Sequence, residues 1–107
     1  MKPYIYDLTV VRGAAFHQRL DLDNVDMTGV TAKAQIRPGK GSETLTAEIT
    51  CTVDTDAGTV TLSLADSVTA GIDAGVYWYD VFLALGTGRE CVLAGKFTVL
   101  ERVTIYE

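Results

Sequence analysis

No stretch of this chain of 107 residues approaches the length of an apolar membrane-crossing helix. Its start, Met1-Lys2-Pro3-Tyr4, lacks the apolar centre of a signal peptide. Cationic residues are few, with nine Lys and Arg against 14 Asp and Glu and a net charge of -5. Nucleic acids and anionic membranes are read by basic surfaces, so this balance argues against both as partners. The absences predict a chain made and kept in the cytoplasm, or assembled there into something larger.

Metal-ligating and nucleophilic side chains are equally sparse. Histidine occurs once and cysteine twice. A zinc site takes three or four ligands in short-range pairs, which His17, Cys51 and Cys91 do not supply. Ser42, Ser63 and Ser67 sit in no nucleophile motif, and His17 falls on the polar side of its segment beside Arg19, as a surface histidine does. Both cysteines fall on the apolar side of an alternating segment. They read either as a disulfide between two sheets or as two reduced, buried small hydrophobes, and the missing secretion signal favours the second.

Loop motifs fall short of ligand sites. Gly39-Lys40-Gly41-Ser42 has the residues of a phosphate loop without the preceding spacing, and Gly86-Thr87-Gly88 lacks the third glycine of a dinucleotide fingerprint. Asp54 and Asp56 precede a glycine that falls one place early for a calcium loop, with no later glutamate to close it. These two, and Asp21, Asp23 and Asp26, read as turn carboxylates that accept local backbone N–H groups. No enzyme, cofactor or metal is predicted.

What the sequence has in quantity is alternation. Apolar and polar residues alternate over residues 4–11, 14–23, 30–37, 44–53, 59–64 and 89–100, and turn chemistry separates most of them. Residues 75–85, Gly-Val-Tyr-Trp-Tyr-Asp-Val-Phe-Leu-Ala-Leu, are apolar on both sides except at Asp80. That is a central strand covered on each face. Residues 66–72 break the alternation, with Asp66 as an N-cap for a short helical turn and Gly71 to close it. Gly95 marks a bulge or a close contact. One domain over residues 1–107 follows, all-β: a seven-stranded immunoglobulin-like two-sheet sandwich with one short helical turn. Residues 30–37, 75–85 and 89–100 form one sheet and the rest form the other.

Two resemblances follow from particular residues. Asp73-Ala74-Gly75-Val76-Tyr77-Trp78-Tyr79 resembles the approach to the sixth strand of immunoglobulin variable domains, Asp-Ala-Gly-Val-Tyr-x-Cys. It implies that the Tyr77 hydroxyl bonds back to nearby backbone, as in a tyrosine corner. Tyr79 stands where that family has its cysteine. The second resemblance runs along nearly the whole chain. It rests on Val11-Arg12-Gly13-Ala14, on Met27-Thr28-Gly29-Val30-Thr31-Ala32-Lys33-Ala34-Gln35-Ile36-Arg37, on Gly58-Thr59-Val60-Thr61-Leu62-Ser63-Leu64, on Ala74-Gly75-Val76-Tyr77-Trp78-Tyr79-Asp80-Val81 and on Leu93-Ala94-Gly95-Lys96-Phe97-Thr98-Val99. This series is similar to small immunoglobulin-like tail and baseplate proteins of tailed phages and prophages, including the amino-terminal domain of the lactococcal phage upper baseplate protein. The resemblance implies a non-enzymatic virion part that docks on other tail or baseplate proteins, made in the bacterial cytoplasm and then carried in the virion.

The predicted docking face is the outward side of the central strand. Trp78 and Phe82 point away from the core, with Val92 and Ala94 beside them on the next strand and Lys33, Gln35 and Arg37 across from them. Arg37 or Lys33 would pair with Asp80. The loop at residues 38–42 is a second candidate contact. Either the chain's own Tyr4, Tyr6, Ile105 and Tyr106 cover this face, or it docks another virion protein or a second copy. The alternative class is a module that binds host carbohydrate, with Trp78 and the tyrosines stacking on sugar rings.

Overall fold

Alternating segments bury one side each, and they do so here as eight strands and one short helix in a computed structural model that describes residues 3–22 and 26–105. The strands are β1 (Tyr4–Ile5), β2 (Leu8–Val11), β3 (Phe16–Asp21), β4 (Thr31–Arg37), β5 (Ala47–Asp54), β6 (Thr59–Leu64), β7 (Gly75–Leu85) and β8 (Gly88–Leu100), with α1 (Asp66–Ala70) between β6 and β7. They hydrogen-bond in the order β1-β8-β7-β4-β5-β6-β3, and β2 follows β1 along β8. β5 joins the two layers. Its first residues pair with β4, Ile49 opposite Ala34, and the rest pair with β6 from Thr50 to Asp54. One curled sheet thus makes both walls of the sandwich.

The expectation for the amino-terminal strand is corrected in two ways. Residues 4–11 form two strands, and both run parallel to β8, in the sheet of β4 and β7 and not in the opposite one. The break falls at Tyr6-Asp7 and has a local cause. The Tyr6 amide donates to Ala94 O at 2.8 Å, and then the Asp7 side chain takes the place of a backbone acceptor, its Oδ1 receiving the Lys96 amide at 3.0 Å. Between those two bonds the chain lies against Gly95, where a Cβ would overlap the Tyr6 carbonyl. Gly95 is therefore the close contact, and the bulge lies elsewhere. Val81 pairs with Leu93 and Phe82 with Cys91, which leaves Val92 unopposed.

The core lies between the layers. Phe97 is fully buried, with Phe16 at 5.2 Å between ring centroids and Tyr79 at 6.2 Å, both edge-to-face. Ile36, Val60, Leu62, Val81 and Leu83 pack around them, none more than 1% exposed. A side chain buried to that degree contributes roughly 1.5–3 kcal/mol. Tyr79, at the disulfide position of the variable-domain pattern, fills the space with a ring and donates its hydroxyl to Tyr6 O. Tyr77 donates its own hydroxyl to Asp73 O at 2.7 Å, the predicted corner.

The helix start is one residue earlier than expected. Ala65 is the N-cap and Asp66 lies in the first turn, where its charge suits the helix dipole without a capping bond. The helix is fastened through Thr69, which is fully buried: its Oγ1 accepts the Gly13 amide at 3.1 Å and donates to Ala14 O at 2.8 Å. Arg12 adds its Nε to Ala70 O at 3.0 Å and its Nη1 to Glu101 Oε1 at 3.1 Å. Val11-Arg12-Gly13-Ala14 is thus the clasp that holds α1 to the end of β8.

Candidate docking face

The outward side of the β4-β7-β8 sheet is built in rows by strand register. Arg37, Trp78 and Lys96 share one row, followed by Gln35, Asp80 and Ala94, then Lys33, Phe82 and Cys91, then Thr31, Ala84 and Arg89. The 38–42 loop curves over the Trp78 end and Pro3 and Ile5 stand at the β8 edge. Together they enclose an open groove of about 1030 Å³. Of the predicted face residues, Trp78, Phe82, Ala94, Arg37 and Lys33 all line it.

Val92 does not. It is 9% exposed and packs in the core, because the bulge shifts the alternation of β8 by one residue between Leu93 and Cys91. The same shift reverses Cys91, expected on the apolar side and found beside Phe82 on the outer face. Both cysteines are free, with Cys51 on β5 and Cys91 on this face. Burial and the nearby Asp80 carboxylate push the Cys91 thiol pKa up.

The predicted pairing of Asp80 with Arg37 or Lys33 is also corrected. The Arg37 guanidinium is held at 3.0 Å from Ser42 O and 2.8 Å from Gln35 Oε1, and neither cation forms an ion pair with Asp80. Burial raises the Asp80 carboxyl pKa, and attraction from Arg37 offsets part of that rise. Arg37 instead ties the 38–42 loop to the sheet, and the loop in turn sets Lys40 over the indole. The Lys40 ammonium lies 4.5 Å from the Trp78 ring centroid, and that of Lys96 lies 5.8 Å from it. The Lys96 contact follows from sequence alternation, since Lys96 is two residues beyond Ala94. The Lys40 contact depends on how the loop folds back, which no periodicity reports.

Of the residues proposed as a cover, the described ones, Tyr4, Tyr6 and Ile105, all stay exposed, while the amino-terminal segment reaches the groove only at its edge through Pro3 and Ile5. Tyr4 is 82% exposed and Ile5 74%, because β1 extends the sheet at its edge. Ile105 is 61% exposed, Phe82 is itself 40% exposed, and Tyr106 lies outside the described residues.

The dismissed motifs show ordinary local chemistry. Asp54 Oδ1 accepts the Asp56 and Ala57 amides at 3.1 Å, and Asp26 Oδ1 accepts the Thr28 amide at 3.0 Å, so both are turn carboxylates. Asp23 lies outside the described residues. Among the described residues no group of three or more His, Cys, Asp or Glu side chains is placed to hold a metal ion. Register puts His17 opposite Ser63, but no hydrogen bond joins them among the described residues and His17 is exposed. No helix of the described residues is long and apolar enough to cross a membrane.

No protein-family model matches the chain, and no curated protein matches it in sequence. Solved structures do. The chain is similar to CopC from Methylosinus trichosporium OB3b over 94% of its own length and 89% of that chain, with a TM-score of 0.56 and 17% identity. It is also similar to part of red sea bream transglutaminase, with a TM-score of 0.59 and 17% identity over 89% of this chain, but it spans only 16% of the transglutaminase. At such identities the likeness shows the fold alone, and that fold is the expected all-β, immunoglobulin-like sandwich.

Proposed function

We propose that this protein is a non-enzymatic structural or adaptor component of a phage tail or baseplate, and that it works by protein–protein docking through the groove on the β4-β7-β8 sheet. The observation that carries the docking is Phe82, a large apolar side chain 40% exposed on the floor of a groove whose Trp78 end alone is overhung by the 38–42 loop. An apolar floor with a polar and charged rim is the usual anatomy of an interface. The tail or baseplate setting is supported by the motif series in the sequence.

The test is to purify particles from a host that produces them and to look for this protein by mass spectrometry. It is expected in the particle, and Phe82→Asp, which leaves the buried side of β7 untouched, is expected to remove it while the purified variant melts as the parent does. Absence of the parent protein from particles sinks the reading.

Carbohydrate binding is the second reading, favoured by an indole in an open groove. Against it, Lys40 lies over the Trp78 ring that a sugar would need. Glycan-array binding lost in Trp78→Ala would favour this reading over the first.

A further inference from the structure

The groove collects cations that the rest of the protein would be expected to neutralise. Lys33, Arg37, Lys40 and Arg89 line it, and Lys96 reaches over Trp78. These are five of the nine Lys and Arg residues in a chain whose net charge is -5. Outside the groove Arg12 pairs with Asp73 and Glu101 and Arg19 with Asp21, whereas Arg102 forms no ion pair among the described residues. None of the five groove cations forms an ion pair among the described residues. Two ammonium groups share one indole, where the ring is attractive to each and each repels the other. An anion between them would be attracted by both.

Resting on the docking reading above, we propose that the occupant of this groove is an extended, acidic segment of another protein, with carboxylates at its two ends and an apolar residue between. The rows of the sheet set that pattern. Arg37, Lys40 and Lys96 gather at the Trp78 end, and Lys33 and Arg89 gather around Phe82 and Ala84. From Trp78 to Ala84 along β7 is roughly 20 Å, the length of about six extended residues. Between the two basic ends the floor carries Asp80 and Ala94, with Phe82 beside them, and Glu48 sits across from Gln35 on the neighbouring strand. A uniform polyanion such as a nucleic acid would place charge against Asp80 and Glu48. A peptide can place a neutral side chain there and an apolar one on Phe82. The sign of the groove is therefore a device for choosing a partner and speeding its approach, as complementary charge does at interfaces.

Trp78 is the only tryptophan of the chain, so its fluorescence reports on the groove directly. The probe is an acetylated and amidated heptapeptide with two glutamates at each end and Thr-Leu-Thr between them. The controls are the same peptide with glutamines and an oligothymidylate of similar charge. The glutamate peptide is expected to give a saturable change that weakens roughly tenfold between low salt and about 0.3 M salt. Lys40→Glu and Arg89→Glu are each expected to weaken it by a similar factor without changing the melting temperature. Equal binding of the glutamate and glutamine peptides, or binding of neither, overturns the acidic partner. Tighter binding of the oligothymidylate overturns it in favour of a polyanion. Self-association that Lys40→Glu abolishes overturns it in favour of a second copy. If peptides fail but Phe82→Asp still empties particles of the protein, docking stands and the acidic partner alone falls. If the parent protein is absent from particles, docking falls whatever the peptides do.

Discussion

Gly95 lies directly under the Tyr6 carbonyl, so near that a Cβ on Gly95 would overlap the oxygen and also meet Asp7 Oδ1 at 3.0 Å. The obstacle is backbone, held by the Tyr6 amide on Ala94 O and by the Asp7 carboxylate on the Lys96 amide, so it cannot swing aside as a flexible side chain would. Gly95→Ala is expected to lower stability by about 1–3 kcal/mol, the usual range for overpacking. Its effect should concentrate on β1 and β2. Hydrogen exchange should show Tyr6 and Lys96 amides losing protection before those of β6. An unchanged melting temperature would mean that the amino-terminal strands contribute nothing to the fold.

Tyr79 reaches the same carbonyl from below. Its ring is 4% exposed and its hydroxyl donates to Tyr6 O. Burial, then the nearby Asp7 and Tyr6, push its phenol well above the ordinary value near 10. Tyr79→Phe removes the bond with little change of shape and is expected to cost about 1 kcal/mol. The pH dependence has a fixed sign. Above pH 10 an unfolded tyrosine ionises while folded Tyr79 keeps its proton, so the stability it supplies is present below about pH 10 and declines as pH rises further. Denaturant melts should therefore favour the parent over Tyr79→Phe at pH 7, with the difference shrinking and then reversing as pH rises above about 10. A parent advantage that grows with pH would contradict the buried donor.

How much of this was legible in the sequence depends on the range of the cause. Alternation identified the strand segments because burial of one face acts residue by residue, and the Tyr77 corner, whose bond closes over four residues, was legible through the resemblance of residues 73–79 to the variable-domain pattern. The outward set Trp78, Phe82, Ala94, Lys33 and Arg37 also followed from period 2. Val92 and Cys91 were misplaced because a single unopposed residue reverses the alternation on one side of it, here the part of β8 before Leu93, and nothing in Glu90-Cys91-Val92-Leu93 marks where the extra residue falls. The parallel pairing of β1 and β2 with β8 was hidden because it joins segments about ninety residues apart. The β5 switch between layers was hidden for another reason: β5 pairs with its sequence neighbours β4 and β6, and alternation does not report where a strand changes partner. The grip of Lys40 on Trp78 depends on a loop whose shape Arg37 sets through Ser42 O.

Thr69 carries more than its size suggests. Its hydroxyl serves Gly13 N and Ala14 O, and the residue is fully buried, so water cannot replace it. Thr69→Val has the same shape and leaves both backbone groups without a partner. The expected loss is about 2–3 kcal/mol, more than a solvent-exposed threonine would show. Thr69→Ser should recover most of it, since the hydroxyl returns and only a methyl is missing. If valine is tolerated as well as serine, α1 is held by Arg12 and by packing, and the threonine bonds are incidental.

Asp80 and Cys91 give a last prediction that reads the outer face itself. Burial chiefly raises the Asp80 carboxyl pKa. A carboxyl raised on folding is penalised once ionised, so its contribution is favourable in acid and is lost as pH rises through its folded pKa. Asp80→Asn should therefore melt higher than the parent at pH 7, with the gain vanishing below about pH 4. The same carboxylate helps to hold the Cys91 thiol protonated, after burial, while Cys51 is raised by burial and by Glu48. Since the thiolate is the reactive form, Asp80→Asn should speed alkylation of Cys91 at pH 8 and leave Cys51 as an internal reference. Mass spectrometry of iodoacetamide-treated protein distinguishes the two sites. Equal acceleration at both would point to general loosening, whereas acceleration at Cys91 alone would place it next to Asp80, on the outer face where the β8 bulge puts it.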